Sequence, residues 1–426
     1  MKLHYVFVLV FLQFVLVAPI AQGQQLPAST EPETLADLLS QAERNNPQIQ
    51  AARLGWNAAK QVPSQVSTRP DPEVMVSHMS IGSPRPFSGY TNNEMANIAF
   101  GISQDIPYPG KLRLRGEIAK KEADVWQQQY ESVLRAILAD VKANYFRLSY
   151  LTKRLAILQE DGQLLKPIEQ SAEARFRQGM GSQQDVLQAQ LEQTRLLREL
   201  TATQMEAGTI QAKLKRLLNR SQSSPEIEVA QLSESSLAYT YEQMLEAAKN
   251  NNPDIAGAQR VIERQDLQVE LAHRDFYPDF NISYTYLRPD PFQYRARYEV
   301  SFGVRLPIYR GRRQQPALAQ AELEKNKARS ELDAQSQEIA SGIREQYVIA
   351  EKSTDLLRIY REGLLPQSRA ELQAGMAAFQ SSREDFQALL ASFLDVVKLD
   401  EEYWQTLSEH ETALAGLEQT TGLSLR

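Results

Sequence analysis

The chain has 426 residues, no cysteine and a formal net charge of −6. The absence of cysteine excludes disulfide bonds, thiolate metal sites, thiol catalysis and lipid attachment through an N-terminal cysteine. Basic and acidic residues are interspersed, so the sequence lacks the positively charged face that a nucleic-acid-binding protein needs.

Residues 1–23 are typical of an export signal. Lys2 precedes an apolar run at 5–17, and small residues follow, so we expect cleavage near Gly23. An uncleaved anchor helix is the alternative, but the apolar run is short for a membrane span. We therefore expect the mature chain to leave the cytoplasm.

The remainder consists of two copies of one unit, offset by about 200 residues. We expect the first repeat at 24–220, a polar linker at 221–239 and the second repeat at 240–426. Three landmarks recur in the same order: ERNNPQIQAAR (43–53) and KNNNPDIAGAQ (249–259), SQDIPYPGK (103–111) and VRLPIYRGR (304–312), QQDVLQAQ (183–190) and REDFQALL (383–390).

Helical periodicity dominates both repeats. Apolar residues recur at steps of three, four and seven, which predicts helices that pack side by side. At about 1.5 Å per residue, the longest would span roughly 90 Å, too long for a compact globule. The predicted helical segments are 34–65, 112–177 and 183–218 in the first repeat, and 241–276, 315–377 and 383–420 in the second.

Each repeat also contains two strand-like runs, at 73–81 and 95–106, then at 279–287 and 296–306. Apolar residues alternate with small or polar ones, as in outer-membrane barrel strands, although a half-buried soluble sheet shows the same pattern. Four strands cannot close a barrel, and lipid tolerates no open sheet edge, so copies must pool strands. Two copies would give eight strands and three copies twelve. The predicted fold class is mainly α with a small β part.

The order and duplication of these motifs resemble the TolC family of outer-membrane efflux proteins over essentially the whole mature chain. The resemblance implies a homotrimer, with a twelve-stranded β-barrel in the outer membrane of a Gram-negative-type cell and a coiled-coil α-helical barrel in the periplasm. It implies contact with outer-membrane lipid and docking onto a periplasmic adaptor (membrane fusion) protein and an inner-membrane RND or ABC pump. Such proteins are passive exit ducts.

The strand end SQDIPYPGK is more similar to the heavy-metal branch, which is CusC- and CzcC-like, than to the general drug branch. The resemblance therefore implies RND-type efflux of metal cations or drugs. Members near CusC often carry a lipid-modified cysteine. This chain has none, so its anchoring is expected to depend on the barrel alone.

In each repeat a turn joins the last two predicted helical segments. Asp185 and Asp385 occupy equivalent places just after these two turns. The resemblance places them at the periplasmic aperture, where rings of carboxylates repel anions and bind cations. For Asp385 the alternative is a solvated residue near a helix start, favoured by the helix dipole. The family's second carboxylate falls here on Ala388, with Gln188 at the equivalent position in the first repeat.

Arg383 and Glu384 precede Asp385 and belong to the same expected aperture. They are either interhelical latches that hold the aperture closed or ordinary surface charges.

The two turns themselves are expected to meet the helical hairpin of the adaptor. Glycine permits a tight reversal, so a purely structural role fits the first turn equally well. The expected docking residues are Gly179, Met180, Gly181 and Ser182 at the first tip, and Phe379, Gln380, Ser381 and Ser382 at the second.

Met75, His78, Met79 and Met95 carry the soft ligands that suit copper or silver, but Met75 and Met79 share one face of the predicted strand while His78 points to the other. No nucleophile triad, acid–base dyad or nucleotide motif occurs. We therefore expect no enzyme, no metal site and no cofactor. A duct for polypeptides in type I secretion and an exported coiled-coil scaffold remain alternative functions, and the sequence does not identify the cargo.

Overall fold

The computed structural model describes residues 33–79, 96–289, 295–381 and 385–425. The expected export signal, Met95, and the three tip residues Ser382, Arg383 and Glu384 lie outside these ranges. The described chain is mainly helical with one small sheet, which confirms the predicted fold class. The helices are α1 (Leu35–Asn45), α2 (Pro47–Ala59), α3 (Val62–Ser67), α4 (Lys111–Arg177), α5 (Gln183–Leu217), α6 (Tyr241–Asn251), α7 (Pro253–Arg274), α8 (Gln314–Ile359), α9 (Leu365–Gln380) and α10 (Phe386–Thr421).

Two arms of equal length dominate the shape. Helix α4 has 67 residues and extends about 100 Å at about 1.5 Å per residue. The second arm runs from Gln314 to Gln380, but it is not the single helix predicted at 315–377, because a π turn at Tyr360–Leu364 separates α8 from α9. The turn ends two residues before Pro366, whose ring would clash with the carbonyl four residues earlier in a regular helix.

The helices predicted at 34–65 and 241–276 are each broken at an Asn-Pro pair. The Asn46 side chain accepts hydrogen bonds from the backbone N–H groups two and three residues later and caps α2, which Pro47 begins. Its amide also donates to the Leu217 carbonyl at 2.8 Å. Asn252 repeats this arrangement at the start of α7. The first segment breaks once more, between α2 and α3.

The four predicted strands are present with ends within two residues of expectation: β1 (Glu73–Met79), β2 (Asn97–Ile106), β3 (Asp279–Pro289) and β4 (Arg297–Arg305). They form one antiparallel sheet in the order β1-β2-β3-β4. The central pair joins the repeats, with Phe100 of β2 opposite Tyr286 of β3. Strands β1 and β4 are the outer edges of this sheet in the described part of the chain.

One face of the sheet is apolar and exposed. The side chains on it reach 74% exposure at Tyr298, while the opposite face carries small and polar residues such as Gly101, Thr285 and Glu299. An apolar sheet face left in water, beside two open edges, is an interaction surface. One row of the apolar face runs across all four strands through Val76, Phe100, Tyr286 and Tyr298.

Among the residues that the structure describes, three buried clusters hold the helices together. The first-repeat core packs α1 against α4 and α5, including Leu38, Val141 and Leu214. The second-repeat core packs α6 against α8 and α10 around Met244 and Ile343. The tip core lies at the far end of the arms and combines residues from α4, α5, α9 and α10. None of the described helices is both long and apolar enough to cross a membrane.

Candidate functional site: the helical tips and the strand junction

The first tip is a glycine-dependent helix end. Gly179 has a φ of 70°, in the left-handed region that glycine adopts without a steric penalty. The Met180 N–H donates to the Arg175 carbonyl at 2.9 Å, which closes the turn typical of a Schellman motif. Met180 itself projects outward and is 64% exposed. The tip therefore combines a structurally required glycine with an exposed apolar side chain.

Helix α5 then begins with a capping box. The Ser182 hydroxyl accepts from the Asp185 N–H at 3.1 Å, and the Asp185 carboxylate accepts from the Ser182 N–H at 3.2 Å. Each residue satisfies a backbone donor that the helix start would otherwise leave unpaired. The Asp185 carboxylate therefore helps to cap the start of α5, next to the first tip.

The second tip uses its aspartate in a similar way. Asp385 is exposed, and its carboxylate accepts from the Ala388 N–H at 2.8 Å as the N-cap of α10. Ser381 is exposed at the end of α9 and donates to the Ala377 carbonyl at 3.1 Å. Both aspartates therefore cap the returning helix of their hairpin.

Phe379 differs from the expectation that it faces a docking partner. Its side chain is only 4% exposed and packs edge-to-face against Phe386, with ring centroids 6.2 Å apart. Helices α4 and α5 form one hairpin, and α9 and α10 form the other. The guanidinium of Arg175, on α4, lies 4.5 Å from the centre of the Phe379 ring, on α9. Burial of so large an aromatic side chain stabilises the tip core more than exposure could.

A polar contact links the two hairpins beside the tips. The Gln387 side-chain amide donates to the Gln188 side-chain oxygen at 2.6 Å, from α10 to α5. Sequence reasoning singled out Gln188 from its place one turn after Asp185, but it missed Gln387. The repeated motif aligns Gln188 with Ala388, so the alignment gave no signal for the neighbouring residue.

Arg154 connects three helices further from the tips. It donates to Glu199 of α5 at 3.1 Å and to Glu401 of α10 at 3.0 Å, and its side chain is 18% exposed. Charged residues on long helices are common, so nothing local in the sequence identified this group. Its partly buried ion pairs hold α4, α5 and α10 at a fixed separation.

The junction between strands and helices depends on Lys111, the last residue of the SQDIPYPGK motif. Its ammonium group is buried between Asp275 at 3.1 Å and Asp279 at 3.0 Å, both from the second repeat. Asp279 also accepts from the Tyr108 N–H at 2.8 Å. Gly110 precedes Lys111 with a φ of 93°. The motif therefore ties the end of β2 to the start of β3.

The candidate soft-metal residues do not converge. In the register of β1 and β2, Met75 and Met79 share one face of the sheet and His78 lies on the other. Within the residues that the structure describes, no group of three or more His, Asp or Glu side chains is placed to hold a metal ion.

The model of the family described as outer membrane efflux protein matches residues 38–220 and 244–385, more than half of the chain. Among solved structures, CusC has a TM-score of 0.79 at 16% identity and covers 92% of each chain. CmeC from Campylobacter jejuni has a TM-score of 0.77 at 13% identity and covers 91% of this chain and 85% of its own.

VceC from Vibrio cholerae has a TM-score of 0.76 at 17% identity and covers 92% of this chain and 97% of its own. At these identities the likeness shows a shared fold. Curated protein sequences give no match. The family assignment makes this protein an outer-membrane efflux channel rather than an enzyme. The chain belongs to the outer membrane efflux protein family.

Proposed function

We propose that the chain forms the outer-membrane exit duct of a tripartite efflux system. In this proposal a homotrimer conducts substrate passively from an inner-membrane pump and a periplasmic adaptor to the exterior. The observation that carries it is a four-stranded sheet with an exposed apolar face, two open edges and two arms about 100 Å long extending from it.

The open edges support oligomerisation. An unpaired edge leaves backbone N–H and C=O groups without partners, which hydrocarbon does not tolerate. Pairing β4 of one copy with β1 of the next satisfies both edges, and three copies close a sheet of twelve strands. The apolar face then contacts lipid, while the face with Gly101, Thr285 and Glu299 lines the duct.

The helical ends support docking and gating. Met180 and Ser182 are exposed at the first tip and Ser381 at the second, and they offer contacts to an adaptor hairpin. In a trimer, Asp185 and Asp385 would each appear three times around the axis. Such carboxylate rings attract cations and repel anions. We assign Gly179, Gly181, Gln380 and Ser382 to the docking surface, and Arg383, Glu384 and Gln188 to the aperture.

For the cargo, we propose a metal cation or a drug delivered by an RND-type pump. The Pro-Gly-Lys strand end, with Lys111 buried at the junction, supports the metal branch of the family. The carboxylates at the tips favour a positively charged cargo.

The test begins with extraction of the protein from membranes in detergent. We expect a native mass of three mature chains and discrete, cation-selective channels in a planar bilayer. A water-soluble monomer that gives no conductance would contradict the duct and leave a coiled-coil scaffold.

The pairing of edges is tested separately, because the natural chain has no cysteine. Ser77→Cys on β1 and Ser301→Cys on β4, both on the polar face, should be linked between copies by a short bifunctional maleimide and give dimers and trimers on a denaturing gel. The control pair, Ser103→Cys and Ser283→Cys, lies face to face within one chain and should give monomers only.

A further inference from the structure

A cavity of about 520 Å³ lies between α4, α9 and α10, next to the tip core on its sheet-facing side. Its volume falls in the range of small-molecule sites. Apolar residues form half of the lining, and Trp404 among them adds an aromatic surface; charged and polar side chains form the other half. The apolar residues that line it are Ile157, Leu164, Leu372, Met376, Val396 and Trp404.

Two of the cavity's charged groups neutralise one another. The Arg369 guanidinium of α9 donates to both carboxylate oxygens of Asp400 on α10, at 2.7 and 3.1 Å. The Lys153 ammonium lies 5.3 Å from the centre of the Trp404 ring, so a cation already stacks on this wall.

Asp161 differs from these groups. Its side chain borders the cavity and is only 6% exposed, and its Oδ2 atom is buried without a hydrogen-bond partner. An unpaired buried carboxylate is costly unless a positive group or a proton compensates it. Asp161 is therefore the group in this cavity whose charge a bound cation would compensate.

We propose that this cavity binds an organic cation, namely an ammonium or guanidinium group on an apolar or aromatic body, with Asp161 as its counter-ion and Trp404 as a stacking surface. A bare metal ion fits less well, because the apolar walls and one unpaired carboxylate do not supply the several oxygen ligands that hard cations take. The site goes beyond the proposed function, since a passive duct needs no ligand site.

A proton competes with the cation for Asp161. Burial, together with the nearby acids, raises the pKa of Asp161 to about 7. Ligand binding needs the ionised carboxylate, so affinity should fall as the pH falls through this value. The charged groups that face Asp161 are Glu160 and Lys153 on α4, Arg369 on α9, and Asp400 and Glu401 on α10.

The test uses the full-length protein in detergent and ethidium, an aromatic organic cation, followed by fluorescence anisotropy. At pH 8.5 we expect Asp161→Asn to weaken ethidium binding about tenfold or more, because a charge-assisted contact is lost. The matched control is Asp140→Asn, the same substitution at an exposed position of the same helix, which should leave the affinity unchanged. The anionic dye 8-anilinonaphthalene-1-sulfonate should bind no more weakly to Asp161→Asn than to the natural protein.

The pH dependence of ethidium binding to the natural protein provides a second measurement. Ethidium affinity of the natural protein should fall about tenfold between pH 8.5 and 5.5, and that of Asp161→Asn should stay flat. Equal ethidium affinities for Asp161→Asn and Asp140→Asn would overturn the proposal. So would an absence of saturable ethidium binding to the natural protein at pH 8.5.

Discussion

Asn46 and Asn252 occupy equivalent positions in the two repeats and form the same three hydrogen bonds. Each side-chain oxygen caps a helix by accepting two backbone N–H groups, at 2.8 and 3.3 Å for Asn46 and at 2.9 and 3.2 Å for Asn252. Each side-chain amide donates to the last turn of the returning helix, at Leu217 and Thr420. The duplication therefore preserves a three-way helix joint as well as a sequence motif.

This joint predicts a stability loss at either site. Asn46→Ala removes a helix cap and leaves the buried Leu217 carbonyl without this donor, so we expect a destabilisation of about 2–4 kcal/mol. Asn252→Ala should behave alike. The exposed neighbour Asn45 supplies the control Asn45→Ala, which should change stability by less than about 0.5 kcal/mol. Denaturant midpoints measure all three, and equal midpoints for the variants at 45 and 46 would contradict the role of the joint.

The charge at the tips can be separated from helix capping. Asp185→Gln with Asp385→Asn keeps side chains that can cap but removes both charges, so we expect reduced cation selectivity at nearly unchanged stability. Asp185→Ala with Asp385→Ala removes the caps as well and should also raise single-channel conductance. Reversal potentials under a salt gradient provide the measurement. Unchanged selectivity and conductance in both double variants would remove the aperture assignment.

The Gln188–Gln387 contact predicts a measurable effect on opening. Either Gln188→Ala or Gln387→Ala loses a hydrogen bond worth about 0.5–1.5 kcal/mol, so the opening equilibrium should shift by about two- to tenfold per chain. The double variant should add little, because both singles break the same bond. Gln190→Ala, at an exposed position of α5, is the control. Strictly additive effects of the two singles would show that the contact does not couple the hairpins.

The buried carboxylate of Asp161 should make the stability of the folded protein fall as the pH rises. Its folded-state pKa of about 7 lies above the ordinary value of 3.8, so ionisation destabilises the folded state. The natural protein should lose stability as the pH rises from about 4 to above 7. Asp161→Asn should then be more stable by about 2–4 kcal/mol at pH 8, with little difference near pH 4. Thermal unfolding midpoints of both proteins between pH 4 and pH 8 measure this difference. An Asp161→Asn variant less stable than the natural protein at pH 8 would contradict the prediction.

Removing the charge of Lys111 should weaken the junction between the strands and the helices. Lys111→Met keeps the apolar stem but leaves Asp275 and Asp279 without their shared partner. Because those carboxylates are partly exposed, we expect a loss of about 1–3 kcal/mol rather than the full cost of breaking a buried pair. Lys120→Met, at an exposed position of α4, should be neutral. The temperature at which the oligomer dissociates on a gel compares the two.

The elements of the fold were accessible from the sequence because their signals are local. Apolar periodicity placed α4 and α5 within one residue of their observed ends, and alternation placed all four strands. Duplication doubled each signal, which is why the short motifs around Asn46 and Asp185 were informative. The π turn before Pro366 escaped notice because a proline in the first turn of a helix and a proline after a widened turn have the same local pattern.

Tertiary structure alone decided which side chains meet. Phe379 turns inward onto Phe386, Gln188 meets Gln387 across 199 residues, and Lys111 reaches aspartates of the other repeat. Asp161 is left unpaired while Asp400 is paired. Each outcome depends on how long helices from distant parts of the chain are rotated against one another. Sequence periodicity fixes which face of a helix is apolar, whereas the packing of both repeats fixes the neighbour of each polar residue on it.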